Sequence, residues 1–275
     1  QGMGAKAVPA LENVFKGSDN PRYRARALWA LGKLPGVDAS RTVEAAITDA
    51  NPDIRIVGVR LARQIGVELH SVVGKLVADP SPAVRRECAI ALRHSNLRDA
   101  ATLWAALAAA HDGHDRWYLE ALGIGADGHW DACLEAWLAK VHGDWSSAAG
   151  HDIIWRSRAA KTPALLAKVV LDAATAEADL PRYFRAFDFQ SGPIKESALI
   201  ELAFGSSIQD PGKARLVSTE ALKRLTATDI GKHPHQAAAL EALLGQVRGT
   251  SQFVELVGKF NVATAYGDLL VLAQA

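Results

Sequence analysis

The sequence predicts an all-α fold, a right-handed α-solenoid of roughly seven to nine helical hairpins. Apolar residues recur at helical spacing along the chain, Pro and Gly fall mostly between these runs, and no long β-branched strand pattern occurs. A short motif also returns, because an arginine three residues after a proline stands at Arg24, Arg55 and Arg85, giving periods of 31 and 30 residues. These periods are typical of short helical-hairpin repeats.

Each copy of this motif predicts the start of a helix. Asn20, Asn51 and Ser81 can accept a hydrogen bond from a free backbone N–H of the first turn. The proline after each of them has a preset φ that suits the first helical position. Small residues seven positions after these caps would allow neighbouring helices to pack closely: Ala27, Gly58 and Cys88.

The three arginines are predicted to form one structural column. Arg24, Arg55 and Arg85 lie in the first turns of their helices, where each guanidinium could reach acceptors on the preceding repeat. A ligand-binding row of arginines is the alternative. The register of a fourth copy stays open by one residue, because either Arg116 or Asp115 can be placed in the arginine position.

Helices are predicted in order along the whole chain. Four hairpins are expected over 6–16 with 21–33, 40–49 with 52–65, 69–78 with 82–94, and 98–110 with 115–124. Helical periodicity then continues at 129–142, 148–158, 162–175, 179–187, 194–204, 211–226, 233–247, 250–259 and 264–274. We therefore predict one elongated domain, with regular repeats over 1–126 and degenerate repeats of the same solenoid over 127–275.

Composition limits the possible partners. The net charge is +1, but residues 1–100 hold 15 Lys/Arg against 10 Asp/Glu and residues 101–180 hold 6 against 11. A basic first third and an acidic middle disfavour one continuous nucleic-acid groove. No apolar run reaches the roughly 18 residues that a membrane-spanning helix needs. The two cysteines match no metal or haem-attachment spacing and are interpreted as buried thiols.

Polar and aromatic residues are concentrated where the repeat becomes irregular, since six of the seven tryptophans lie between 104 and 155. Histidines and aspartates there could suggest a metal, but no ligand motif accompanies them, and no nucleophile motif is present. The sequence thus indicates a non-catalytic protein without a metal site. Planar cations and aromatics are typical of interface centres, and the predicted binding surface comprises Arg116, Trp117, Tyr118, Trp155, Arg156, Arg158, Arg182, Tyr183 and Arg185.

The recurring motif resembles the HEAT-like repeat of the PBS-lyase type. The pattern that carries this resemblance is Asp-x-x-Pro or Asn-Pro, then Val, Ile or Tyr before Arg, then Ala-x-x-Ala-Leu. It implies an armadillo-like scaffold whose members bind proteins, nucleic acid or cofactors. Some HEAT-like proteins are DNA glycosylases, but the acidic middle of this chain gives little attraction to phosphate.

Three segments carry a narrower resemblance: Asp115–Ala126, Ile153–Arg158 and Arg182–Gln190. They are similar to the HEAT-repeat part of large secreted planctomycete and verrucomicrobial proteins, which also carry a sugar-dehydrogenase-like propeller and a c-type cytochrome domain. This implies an extracytoplasmic or periplasmic docking segment of a redox or carbohydrate-processing protein. Haem is expected only in a fused cytochrome domain, because this chain has no Cys-x-x-Cys-His.

The sequence therefore predicts a scaffold that binds a protein partner or fused domains. A small-molecule or glycan-binding solenoid is the alternative, and a nucleic-acid-binding protein is the weaker third choice.

Overall fold

A computed structural model describes residues 4–67, 69–95, 99–205, 208–226 and 234–274. Within these residues the chain is all-helical, which confirms the predicted class. The helices are α1 Val8–Gly17, α2 Pro21–Leu31, α3 Ala39–Ile47, α4 Pro52–Ile65, α5 Leu69–Leu76, α6 Pro82–Ala91, α7 Ala100–Ala109, α8 Arg116–Gly125, α9 Trp130–Lys140, α10 Ala148–Arg156, α11 Thr162–Leu171, α12 Leu180–Phe187, α13 Pro193–Phe204, α14 Pro211–Leu222, α15 Pro234–Gln246, α16 Ser251–Phe260 and α17 Tyr266–Ala273.

Each predicted helix corresponds to one of these elements, but several end earlier than expected. The helix expected over 82–94 ends at Ala91, because the N–H groups of Leu92 and Arg93 turn to carbonyls three residues back. Such tightening of the last turn is common at helix ends. The expected starts at 98 and 233 lie outside the described residues.

The chain forms two compact units, Gln1–Ala159 and Ala160–Ala275. In the first unit, α2, α4, α6, α8 and α10 pack in succession, and so do α3, α5, α7 and α9. In the second unit, α11 packs against α12 and α13, and α13 also contacts α14 and α15. The change from regular to degenerate repeats after residue 126 concerns the sequence pattern and stays a prediction.

The N-cap predictions are confirmed for two of three copies. Asn20 Oδ1 accepts from Arg22 N at 3.0 Å, and Asn51 Oδ1 accepts from Asp53 N at 2.8 Å. Ser81 occupies the N-cap position of α6, but its side chain makes no cap hydrogen bond. Its own N–H instead donates to Asp79 at 2.8 Å.

The small residues after the caps lie at helix contacts, as predicted. Ala27, Gly58 and Cys88 are all buried. A Cβ on Gly58 would come within 2.9 Å of side-chain atoms of Ala46 and Ile47, so α3 and α4 approach each other at this glycine. Burial raises the pKa of Cys88 to about 12, which keeps this thiol protonated and unreactive at neutral pH.

Candidate functional site

The arginine column is an inter-helix clamp in which Arg55 forms the most complete set of bonds. Its Nε and NH2 donate to the two oxygens of Asp79 at 2.7 and 2.8 Å, and its NH1 donates to the carbonyls of Asp49 and Ala50 at 2.8 and 3.0 Å. The bond to Asp79 is the main cause that raises the pKa of Arg55. A paired fork of this kind fixes geometry as well as charge.

Arg24 makes the same connection one helix pair earlier. It donates from Nε to the Phe15 carbonyl at 2.8 Å and from NH1 and NH2 to the Asp49 carboxylate, NH1 at 3.3 Å. The carboxylates of Asp49 and Asp79 therefore each accept hydrogen bonds from an arginine of the preceding helix pair. The predicted direction is wrong, because Arg24 and Arg55 reach forward to the following pair and not back to the preceding one.

Arg85 ends the column in a different way. Its NH1 donates to the Asp79 carbonyl at 2.6 Å, while its Nε lies 3.4 Å from the Tyr118 hydroxyl. The Tyr118 hydroxyl donates to Leu107 O at 2.9 Å, and its ring stacks on His111. Burial is the main cause that raises the pKa of Tyr118. Arg85 thus contacts the ring of Tyr118, which is stacked on His111. Arg24 and Arg55 instead bond an aspartate of the following helix pair.

Tyr118 is consequently not part of an exposed binding surface, and that prediction is wrong. It is 2% exposed, because its ring fills the space between Arg85 and the α7–α8 turn. Beside it, His111 Nε2 lies 3.0 Å from Asp152 Oδ2 inside the unit. This pair attaches the turn to α10. Among the described residues, no group of three or more His, Cys, Asp and Glu side chains could hold a metal ion.

Arg116 and Trp117 lie on the surface as predicted. The Arg116 side chain is 81% exposed and Trp117 is 72% exposed. Asp115 is the N-cap of α8 and accepts from Tyr118 N at 3.0 Å, so Arg116 is the first helical residue. Counted from the N-cap, the arginine position of α8 is occupied by Leu119, and neither of the two predicted registers is correct.

Arg156 and Arg158 serve mainly in packing. Arg156 Nε donates to Glu120 at 3.1 Å, and its guanidinium lies over Gly123, where an added Cβ would be 2.3 Å from it. Arg158 donates from NH1 to three carbonyls at the end of α10, those of residues 155, 156 and 157. Burial and the nearby Arg156 lower the pKa of Arg158. Trp155 is half-buried beside them.

The predicted residues of the second unit all lie on α12. Tyr183 is 5% exposed and packs on the apolar face of that helix, so its predicted place on a binding surface is wrong. Buried residues recur on α12 at the helical spacing of 180, 183, 184 and 187, a pattern that the sequence already contains. Arg182 and Arg185 are exposed, and Arg185 pairs with Asp188 at 3.4 Å.

A groove along α2, which we call the Trp29 groove, was missed by the sequence analysis. Its volume is about 800 Å³, and its lining includes Leu11, Arg26, Trp29, Lys33, Val57 and Arg60. The lining residues of α2 lie on successive turns of one helix face, while α1 and α4 form the walls. The signal was present as Arg26, Trp29 and Lys33, which are spaced three and four residues apart.

The groove combines apolar walls with positive charge that is not neutralised by a carboxylate. Lys33 Nζ lies 4.7 Å from the centre of the half-buried Trp29 ring. Within the described ranges, neither Arg26 nor Lys33 pairs with a carboxylate. Arg60 NH2 donates to Glu87 at 2.7 Å, and this bond is the main cause that raises the pKa of Arg60. Two cations therefore remain for an incoming anion.

The next pair of helices carries an ion pair at the corresponding positions. Arg60 and Glu87 occupy the same positions relative to the N-caps of α4 and α6 as Trp29 and Val57 do in α2 and α4. Between α4 and α6 these positions form an ion pair, whereas between α2 and α4 they are an indole and an isopropyl group. At the boundary between α2 and α4, the residues of the ion pair are thus replaced by Trp29 and Val57, which line the groove.

No described helix is both long and apolar enough to traverse a lipid bilayer. Comparison with models of known protein families gives no match, and comparison with curated proteins gives none either. The function has to be inferred from the residues themselves.

Proposed function

We propose that this chain is a non-catalytic scaffold, a right-handed α-solenoid of HEAT-like hairpins that binds a protein partner. The sequential packing of α2 to α10 and the arginine clamps between neighbouring pairs support the repeat interpretation. Solenoids of this kind use an extended helix face as their binding surface.

The observation that carries the binding proposal is the Trp29 groove. An indole flanked by cations, in a groove with apolar walls, matches the composition of residues that dominate protein interfaces. This position replaces the predicted surface as the main docking site, because Tyr118 and Tyr183 are buried and Arg156 is engaged with Glu120.

The test is selection of random linear peptides displayed on phage against the whole chain. We expect selected peptides to bind the wild-type protein and to lose about tenfold or more in affinity for Trp29→Ala, which corresponds to a little over one kcal/mol. Trp117→Ala is the matched control, because Trp117 is an exposed tryptophan outside the groove. Recovery of no peptide that depends on Trp29 would contradict the proposal.

A glycan-binding surface at the start of α8 is the second candidate. The exposed Trp117 lies next to the exposed Arg116, and an indole face with a neighbouring guanidinium can stack on a sugar ring and bond its hydroxyls. Binding on a glycan array that Trp117→Ala abolishes and Trp29→Ala leaves intact would favour this candidate over peptide docking.

The cellular setting is proposed from the resemblance alone. The scaffold would belong to an extracytoplasmic multidomain protein of redox or carbohydrate processing, with fused domains as further partners. Haem would be held only by a fused cytochrome domain.

A further inference from the structure

We infer that the ligand of the Trp29 groove is an extended acidic segment of a partner protein, with two carboxylates about three residues apart and an apolar side chain between them. This inference rests on the proposed docking function and adds the chemistry of the partner. It follows from the charges of the groove, the spacing of its cations and the position of Trp29.

The charge of the lining selects an anionic ligand. Arg26 and Lys33 carry no ion pair within the described part of the chain, and both side chains are exposed. Glu87, which lines the adjoining cavity with Trp29 and Arg60, is already bonded to Arg60 at 2.7 Å. A carboxylate entering the groove would therefore meet available cations, whereas a lysine or arginine would be repelled.

The spacing of these cations fits an extended chain. Arg26 lies on α2, and Lys33 lies seven residues later in the turn just after the C-cap Gly32, so their positions differ by about 10 Å along the direction of the helix axis. Three residues of an extended polyproline II segment cover about 9 Å and make one full turn, so positions i and i+3 lie on the same face. Acidic residues at these two positions of a segment lying along α2 would therefore each reach one cation.

Trp29 determines what lies between the two acidic residues. It lies on α2 between Arg26 and Lys33 in the sequence, and the groove lining also includes Leu11 of α1 and Val57 of α4. A phenyl or branched aliphatic side chain placed there would lose contact with water on both sides. Lys33 Nζ lies 4.7 Å from the centre of the Trp29 ring, so a carboxylate bound to this lysine would lie close to the indole.

The groove is open enough for a chain with polar backbone groups. A second cavity of about 450 Å³ adjoins it and shares Trp29 and Arg60, with Gln64 and Arg63 also in its lining. The Gln64 amide can both donate to and accept from a peptide backbone. These features favour a peptide segment over a compact small carboxylate.

The experiment is a fluorescence-anisotropy titration with synthetic peptides. The probe is a labelled peptide with Glu at i and i+3 and Phe between them, and its control peptides carry Gln in place of both Glu, or Ser in place of Phe. We expect each control peptide to bind about tenfold or more weakly. Binding of the probe should weaken as salt is raised, because its charged contacts are exposed.

Charge reversal on the protein gives the matching test. Arg26→Glu and Lys33→Glu should each reduce binding of the probe about tenfold or more, with unchanged circular dichroism. Arg116→Glu is the control, because Arg116 is an exposed arginine outside the groove. If the Gln peptide binds as well as the Glu peptide, or if Arg26→Glu and Lys33→Glu leave binding unchanged, the inference is overturned.

The phage selection separates this inference from the proposed function. Selected peptides whose binding depends on Trp29 but which carry no net negative charge would support the docking function. They would contradict the inference that the partner segment is acidic. If acetate or a short dicarboxylate competes as well as the probe, the peptide assignment falls. Failure to select any Trp29-dependent peptide would remove both.

Discussion

A single aspartate, Asp79, holds three parts of the first unit together. Its carboxylate accepts the Arg55 fork and the Ser81 N–H, and its carbonyl accepts from Arg85. The Asp79 side chain is 4% exposed and the Arg55 side chain 12%, so neither charge is well hydrated. Removing one partner would leave the other buried without compensation.

We therefore predict that Arg55→Ala lowers the free energy of unfolding by about 3 kcal/mol, the usual effect of breaking a buried pair. The measurement is urea unfolding followed by circular dichroism. Arg93→Ala is the control, because its pair with Asp127 is about half exposed on both sides. It should cost no more than about 1 kcal/mol. Equal losses for the two variants would show that Arg55 is not a clamp.

The sequence predicted the arginine column but not the direction of its bonds. A motif that repeats every 31 and 30 residues places similar residues before and after each arginine. The spacing therefore does not show whether the arginine bonds the preceding or the following copy. The partners of these arginines are also in the motif, as Asp49 and Asp79, each six residues before an arginine of the column, but their spacing alone does not give the direction. The Trp29 groove was missed for a related reason, since it exists only where side chains of separate helices meet.

Among the described elements, α8 packs closely against α6 at Gly125. A Cβ on Gly125 would be 2.2 Å from the carbonyl oxygen of Ala89 on α6, a contact with backbone that cannot move aside easily. Gly74 on α5 is the opposite case, because it is exposed and a Cβ there would meet nothing within 4 Å. The close helix contact thus requires a glycine at position 125, whereas packing does not require one at position 74.

We predict opposite effects of alanine at these two positions. Gly125→Ala should destabilise the protein by about 1–3 kcal/mol through overpacking against α6. Gly74→Ala should stabilise it by up to about 1 kcal/mol, because alanine has the higher helix propensity. Thermal unfolding of both variants checks this. A Gly125→Ala protein that melts at or above the wild-type temperature would refute the close contact.

Helix positions were predictable because their signals are local. Proline at the first helical position, with an N-cap before it, marks α2, α4 and α6, and these starts are as expected. The burial of Tyr183 was also readable from the spacing of α12. The burial of Tyr118 was not, because it depends on Arg85 and His111 in other elements.

At the scale of the whole molecule, two compact units each contain their own buried side chains. Phe184 and Phe187 lie in the core of the second unit, and Trp104 and Leu122 lie in that of the first. A unit with its own core can in principle fold alone. This makes the division after Ala159 experimentally accessible.

We predict that Gln1–Ala159 folds when expressed by itself. It should show a helical far-ultraviolet spectrum and a cooperative urea transition, because its clamps and helix contacts are internal to the unit. The control is the Arg55→Ala change in the same fragment, which should lower the transition midpoint as it does in the whole chain. A broad, non-cooperative transition would contradict independent folding.

The clamps also bear on how such a chain can change its length. Arg24 bonds Asp49 and Arg55 bonds Asp79, so each clamp joins one copy of the repeat to the next copy. Duplication of a segment one period long would leave the old clamps intact and supply the new copy with an arginine and an aspartate. An insertion of half a period between the arginine and the aspartate of a clamp would move the two residues out of bonding distance. Gain and loss of whole copies is therefore the tolerated route by which genes for this stack can lengthen or shorten.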